Sequence, residues 1–297
     1  MTTALLALLG LVLAGPAPAL LSRARWPLRA PRAGVVLWQA MALAAVLAIV
    51  GAGASASLWL IQVDDPGGWR VLAHSALMTL TLVVLVRLAW SAIRVGRATR
   101  TRRRRLRELV DMLADRSGIE PGLRILAAPT PVAYCLPGVR NNRVVLSQGA
   151  MSQLDPREVA AVLAHEHAHV RARHDLVLES FAALHAAFPR GPRSELPLRQ
   201  SQLLVELLAD DAARARTGAV PLARALVALA GQTPPAAALA VHSDASTTRL
   251  RLERLAAPRG GRWRAAACAY ATAAAILLGP TIFVGIPLLT QMWDTLR

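Results

Sequence analysis

The chain of 297 residues is 55% hydrophobic and 18% charged, with 34 Lys+Arg against 18 Asp+Glu and a net charge of +16. Soluble globular domains run at about 45–50% apolar and about 25% charged, so a single soluble domain and a disordered chain are both excluded, and membrane spans are required. Two cysteines, Cys135 and Cys268, stand far apart and make neither a CxxC pair nor a disulfide framework.

Four hydrophobic stretches are long enough to cross a bilayer, which takes about 20 residues. They run from about Thr3 to Leu21, Val35 to Ile61, Val71 to Ile93 and Ala265 to Met292. The first lacks the basic start of a secretory signal, and its charges, Arg23, Arg25, Arg29 and Arg32, come after it. It therefore reads as a span with its N-terminus outside. The loop 22–33 is basic and is expected in the cytoplasm. The loop 62–70 carries Asp64, Asp65 and one Arg and is expected outside. The stretch from Arg94 to Arg107 holds eight Arg and is again cytoplasmic. The fourth span then leads outward, which places both termini outside. All seven Trp lie in or beside the ends of these stretches, as in an aromatic belt. The domain plan is three spans over 1–96 (about 3–21, 35–61 and 71–93), a cytoplasmic domain over 97–264, and a fourth span with a short tail over 265–297.

The two basic loops hold four and eight Arg and no acid; the other 22 Arg face 18 acids. Topology and attraction to anionic lipid thus account for most of the excess charge. No basic patch interleaved with aromatics remains, which argues against direct nucleic-acid binding.

Within 97–264 the pattern predicts an amphipathic helix from Arg102 to Arg116, closed by Ser117-Gly118. Three short apolar runs follow: Leu123–Ala127, Val132–Leu136 and Val144–Leu146. Pro129, Pro131, Pro137-Gly138 and Asn141-Asn142 punctuate them, and the expectation is a small antiparallel sheet with hairpin turns. Asp155, Pro156 and Glu158 then mark a helix start with a capping box, and that helix runs to about His174. Further helices are expected over Asp175–Phe188, Leu198–Arg216, from Pro221 to about Gly231, and over Ser246–Ala256.

The chemistry sits in His165-Glu166-His167-Ala168-His169. His165 and His169 are four apart and share one helical face. Two imidazoles at that spacing can grip Zn²⁺ at about 2.0–2.1 Å each, and Glu166 can reach a water at that ion. A third ligand from a distal His is closed off, because Ala172 and Asp175 stand where HExxHxxGxxH needs Gly and His. The alternative is Glu206, in the apolar run Leu203–Leu208, where a carboxylate is costly unless paired or bound to metal. Asp210, one turn on, can orient a ligand imidazole. The alternative for Glu206 is a plain salt bridge to an Arg.

These residues resemble the BlaR/MecR-type antirepressor membrane zinc metallopeptidases, in which HExxH, a following Asp (here Asp175) and a distal Glu helix (here Glu206 and Asp210) lie in a cytoplasmic loop before the last span. Tyr134–Gly138 followed by Val144–Ser147 resembles the strand region ahead of the motif in that group. The likeness covers nearly the whole chain. It stops short of the extracellular penicillin-binding sensor, since the sequence ends at Arg297. The related heat-shock and CAAX-prenyl membrane peptidases also show a His-Pro segment before an Arg-rich helix, of which His242-Ser243 with Arg249, Arg251 and Arg254 is a faint form.

The resemblance implies a mainly α protein of the bacterial inner membrane, with four transmembrane helices and a cytoplasmic zincin-like (gluzincin) α+β domain. It implies one Zn²⁺ per chain, held by His165, His169 and Glu206, with Glu166 as general base. Asp210 and Asp175 would support the ligands. His242, Tyr134 and Arg249 are candidates for stabilising the oxyanion. The expected activity is endoproteolysis of a protein substrate, such as a transcriptional repressor. Membrane-protein quality control is a second reading, and a receptor or scaffold without turnover is a third.

Overall fold

The computed structural model describes residues 2–61, 67–118, 120–138, 142–188, 195–230, 245–257 and 263–295. The elements in chain order are α1 (Thr2–Ala14), α2 (Pro16–Arg23), α3 (Trp26–Arg29), α4 (Pro31–Ile61), α5 (Gly68–Leu113), β1 (Ala114–Arg116), β2 (Leu123–Leu126), β3 (Ala133–Leu136), β4 (Arg143–Ser147), α6 (Gln148–Gln153), α7 (Pro156–Arg171), α8 (His174–Ala187), α9 (Leu196–Thr217), α10 (Ala219–Ala228), α11 (Ala245–Ala256) and α12 (Trp263–Thr295). They divide into two compact units. One comprises Met1–Ser91, Ala187–Pro197 and Arg262–Arg297, the other Ala92–Ala186 and Leu198–Gly261.

Among the described residues, four helical stretches are long and apolar enough to cross a membrane: Thr3–Arg23, Pro31–Ser57, Gly68–Leu113 and Trp263–Phe283. Leu72, Leu80, Leu82 and Val86 on α5 are all more than half exposed, and a continuous apolar surface of that kind suits lipid rather than water. α4 packs against α1 and α12. Leu6, Ala48 and Ala52 form one buried cluster, and Gly10 lies so close to α4 that a Cβ there would meet Ile49 Cγ1 at 2.8 Å. His74 on α5 is held by the Ser57 hydroxyl of α4 at 2.8 Å, which satisfies an imidazole placed among apolar helices.

The span expected near Val71–Ile93 and the separate helix expected near Arg102–Arg116 are instead one continuous helix, α5, of 46 residues. Nothing between them breaks a helix except the permissive Gly96, and Arg is a good helix former. The end of that stretch, Ala114–Arg116, leaves the helix as β1.

The sheet is mixed, not antiparallel. Its order is β1-β2-β4-β3, with β1 antiparallel to β2, β2 parallel to β4, and β3 antiparallel to β4. The connection 127–132 contains Pro129 and Pro131 and forms no tight hairpin. β3 lands one strand position away, and β4 turns back into the gap. Leu123 then pairs with Val144 and Cys135 with the same residue from the other side. Strand alternation sends Cys135, Leu123, Val144 and Leu146 toward the core shared with Val159 and Val162 of α7. Tyr134, Leu136 and Val145 go to the other face, against Val110 of α5.

The turn from sheet to helices is fixed by local hydrogen bonds. Ser147 caps α6 by accepting from Ala150 N at 3.0 Å and also accepts from Val132 N at 2.9 Å. Asp155 caps α7, accepting from Arg157 N and Glu158 N, while Glu158 accepts from Asp155 N at 3.0 Å. The capping box expected there is present. α7 buries Ala161 and Ala164 against Leu222 of α10 and Leu255 of α11, leaving its next turns to face the centre of the unit.

Candidate functional site

α7 carries His165, Glu166 and His169, all buried. One turn of helix sets the two Nε2 atoms 3.2 Å apart. α9 brings Glu206 to them from an apolar face on which Leu204, Val205 and Leu207 are fully buried. Its Oε2 lies 3.4 Å from His165 Nε2 and its Oε1 lies 3.3 Å from His169 Nε2. Tetrahedral ligands at about 2.0–2.1 Å from one Zn²⁺ stand roughly 3.3–3.4 Å from each other. Each imidazole nitrogen has one Glu206 oxygen at about that separation, and the three residues are the grouping compatible with a metal among the described residues. His165, His169 and Glu206 therefore fit the ion.

Glu166 is 5% exposed, and its Oε2 has no hydrogen-bond partner among the described residues. A buried carboxylate oxygen left in this state costs about 1–3 kcal/mol. It is an acceptor beside His165, His169 and Glu206. Cys135 faces the same carboxylate from β3. Burial first, then the Glu166 charge, push its thiol well above the ordinary value.

Beneath the ligands lies a layer of charge. Asp210 Oδ1 is 3.0 Å from His165 Nδ1. Arg251 of α11 donates to both oxygens of Asp210 at 2.7 Å and lies 3.1 Å from Glu206 Oε2. Burial lowers the affinity of His165 for a proton, but Asp210 and Glu206 outweigh it and raise its pKa to about 10 in the metal-free site. Burial likewise pushes Glu206 up; His169 and Arg251 overcome it and hold the carboxyl well below its usual range. Asp210 is lowered against burial by the same Arg251.

The other expected residues fall differently. Asp175 is buried and bonds Arg103 of α5 at 3.1 Å, with Glu179 on the same guanidinium at 2.7 Å, so its link runs to α5. His174, its neighbour, faces the site instead: Nδ1 is 3.0 Å from His169 Nδ1. Tyr134 packs on the opposite face of the sheet. Arg249 is exposed and pairs with Glu253 one turn away. Neither is near the metal ligands. His167 is partly exposed, 3.4 Å from Glu120. His242 lies outside the described residues.

His174 is the residue that sequence reasoning missed; Arg251 figures there only as part of an Arg-rich run, and its buried pairing with Asp210 and Glu206 was missed. Arg251 had a readable signal, because Thr248, Arg251 and Leu255 form the buried stripe of α11, and a cation in such a stripe needs a carboxylate partner. His174 had none: it reaches His169 only because the chain breaks at Arg173, whose φ of 51° ends α7.

A helix-borne HExxH, a glutamate from a second helix and an unpaired oxygen of Glu166 are the arrangement of a metallopeptidase-type centre, and the described residues include four apolar helices of membrane length. The sequence model of peptidase family M48 matches residues 100–225. That range includes the HExxH helix, Glu206 and Asp210 and stops before Arg251. The match supports a metallopeptidase related to the membrane heat-shock type; it does not reach the BlaR/MecR-type assignment. No curated protein and no solved structure matches the chain.

Proposed function

We propose that the protein is an integral-membrane zinc metalloendopeptidase that hydrolyses peptide bonds in a protein substrate, with its peptidase unit on the cytoplasmic side of a bacterial inner membrane. One observation carries this reading: His165, His169 and Glu206 meet in the interior, the two Nε2 atoms 3.2 Å apart and each facing its own Glu206 oxygen at 3.4 and 3.3 Å, beside an unpaired oxygen of Glu166. Those three residues would hold one Zn²⁺ per chain, which would supply a Lewis acid for a substrate carbonyl and lower the pKa of a water toward neutral pH. Glu166 accepts the proton of the attacking water at Oε2 and returns it to the leaving amine. Asp210 and Arg251 hold the ligand side chains in place from below. β3 ends the sheet on the side that packs against α7, so an extended substrate strand can add there and gain its register from backbone hydrogen bonds.

The preferred role is regulatory, cleaving a protein such as a transcriptional repressor, on the strength of the antirepressor-like motif order. Membrane-protein quality control is the second reading, and the match to peptidase family M48 favours it. The test is detergent-purified protein assayed for zinc content and for cleavage of casein and of itself, beside Glu166→Ala. Zinc is expected to stay stoichiometric in both, and cleavage to fall by about 10²-fold or more in the variant. Equal cleavage by the two proteins overturns the peptidase reading. Broad cleavage of casein selects quality control, whereas loss of a single repressor upon induction in cells selects regulation.

A further inference from the structure

Ligand histidines in metal sites hand their second nitrogen to a partner that fixes tautomer and ring orientation, and removal of that partner typically weakens metal binding about 10–100-fold. The two histidines here are backed unequally. His165 has the Asp210 carboxylate at 3.0 Å. His169 has no carboxylate behind it among the described contacts; its Nδ1 faces Nδ1 of His174 at 3.0 Å, with the rings edge to face and their centroids 4.9 Å apart. His174 is 4% exposed.

We propose that His174 is the positioning residue of the ligand His169, an imidazole acting where His165 has a carboxylate. This rests on the metal centre assigned above and adds a residue to it. The geometry carries the argument. Two Nδ1 atoms 3.0 Å apart share one proton. A His169 that ligates through Nε2 carries its proton on Nδ1, so His169 donates and His174 accepts, with the proton of His174 on Nε2. Metal binding thereby sets the direction of this bond. In a continuous helix a residue five positions on would point about 140° away from His169. The chain break makes the contact: α7 ends at Arg171, Ala172 N returns to Ala168 O at 3.0 Å, Arg173 takes φ 51°, and His174 starts α8 turned back toward the ring it supports. Arg103 secures that turn through the next residue, Asp175, and through Glu179.

The experiment compares wild type with His174→Leu and His174→Asn as full-length protein in detergent. Leu fills the space without an acceptor, whereas Asn keeps an acceptor oxygen at similar reach. Two readouts are used besides activity: zinc transfer to a competing chelator, and the visible spectrum of the cobalt-substituted site. His174→Leu is expected to lose zinc about 10–100-fold more readily and to shift the cobalt bands; His174→Asn is expected to restore retention to within a few-fold of wild type. Thermal unfolding of the metal-free proteins separates a local effect from a damaged fold. If Leu does not fold, Asn alone decides, and an Asn variant that folds yet loses zinc as freely as an Asp210→Asn control overturns the proposal. So does a Leu variant with wild-type retention and spectrum. Wild-type protein that takes up no zinc removes the metal centre as well as this role, while normal zinc uptake with no proteolysis removes only the peptidase reading.

Discussion

Arg251 grips both oxygens of Asp210 at 2.7 Å and reaches Glu206 at 3.1 Å, so one buried cation bridges two buried carboxylates behind His165 and His169. Removing one member of a buried ion pair strands the charge of the other, at about 3–5 kcal/mol. Arg251→Leu is expected to lower the thermal unfolding midpoint in detergent by several degrees and to loosen zinc. Arg251→Lys keeps the charge but not the two-pronged geometry and should fall between Leu and wild type. A Leu variant as stable as wild type would contradict this account.

Metal binding should depend on pH in a defined direction. In the metal-free protein burial lowers the pKa of His165, but Asp210 and Glu206 raise it from 6.5 to about 10. A raised folded-state pKa means the protonated imidazole stabilises the metal-free fold fully below about pH 6.5 and loses that contribution as pH climbs to about 10. Zinc needs the neutral ring, so it must displace this proton. Apparent zinc affinity is expected to rise roughly tenfold per pH unit between about 7 and 9, with about one proton released per ion. Calorimetry in two buffers of different ionisation enthalpy measures that proton; zero release would show that His165 is already neutral.

The reading of the centre was accessible from the sequence because its parts are local. HExxH is one helical turn, Asp155 and Glu158 announce the start of that helix, and Glu206 betrays itself as a charge inside Leu203–Leu208. What stayed hidden depends on tertiary geometry. The strand order turns on how the proline-bearing segment 127–132 arches, which no alternation pattern encodes. The continuity of α5 was masked by an abrupt change from apolar residues to Arg, a change of environment rather than of backbone. Arg251 is 41 residues from Asp210, and His174 meets His169 through a single residue in the left-handed region.

Gly149 should tolerate no side chain. A Cβ there would meet the Pro129 carbonyl oxygen at 1.9 Å and its carbon at 2.6 Å, both backbone atoms. Gly149→Ala must push the 127–132 arch away from α6, and forced overpacking of this kind costs about 1–3 kcal/mol or more. Limited proteolysis should cut the variant within the sheet region faster than wild type. Equal resistance would mean that the arch yields without cost.

Reporter fusions test the proposed topology. A fusion after residue 65 is expected to report the outside and one after residue 150 the cytoplasm, following the Arg distribution. The reverse pattern would place the catalytic unit outside and remove cytoplasmic repressors from its substrates.

Arg251 comes from α11, 41 residues beyond Asp210 and past the end of the segment that matches peptidase family M48. During synthesis at about 5–20 residues per second, the chain therefore spends a few seconds with HExxH, Glu206 and Asp210 already made and their counter-charge still untranslated. The charge cluster is completed late, and a ribosome-bound or prematurely terminated polypeptide holds Glu206 and Asp210 without the cation that pairs with them.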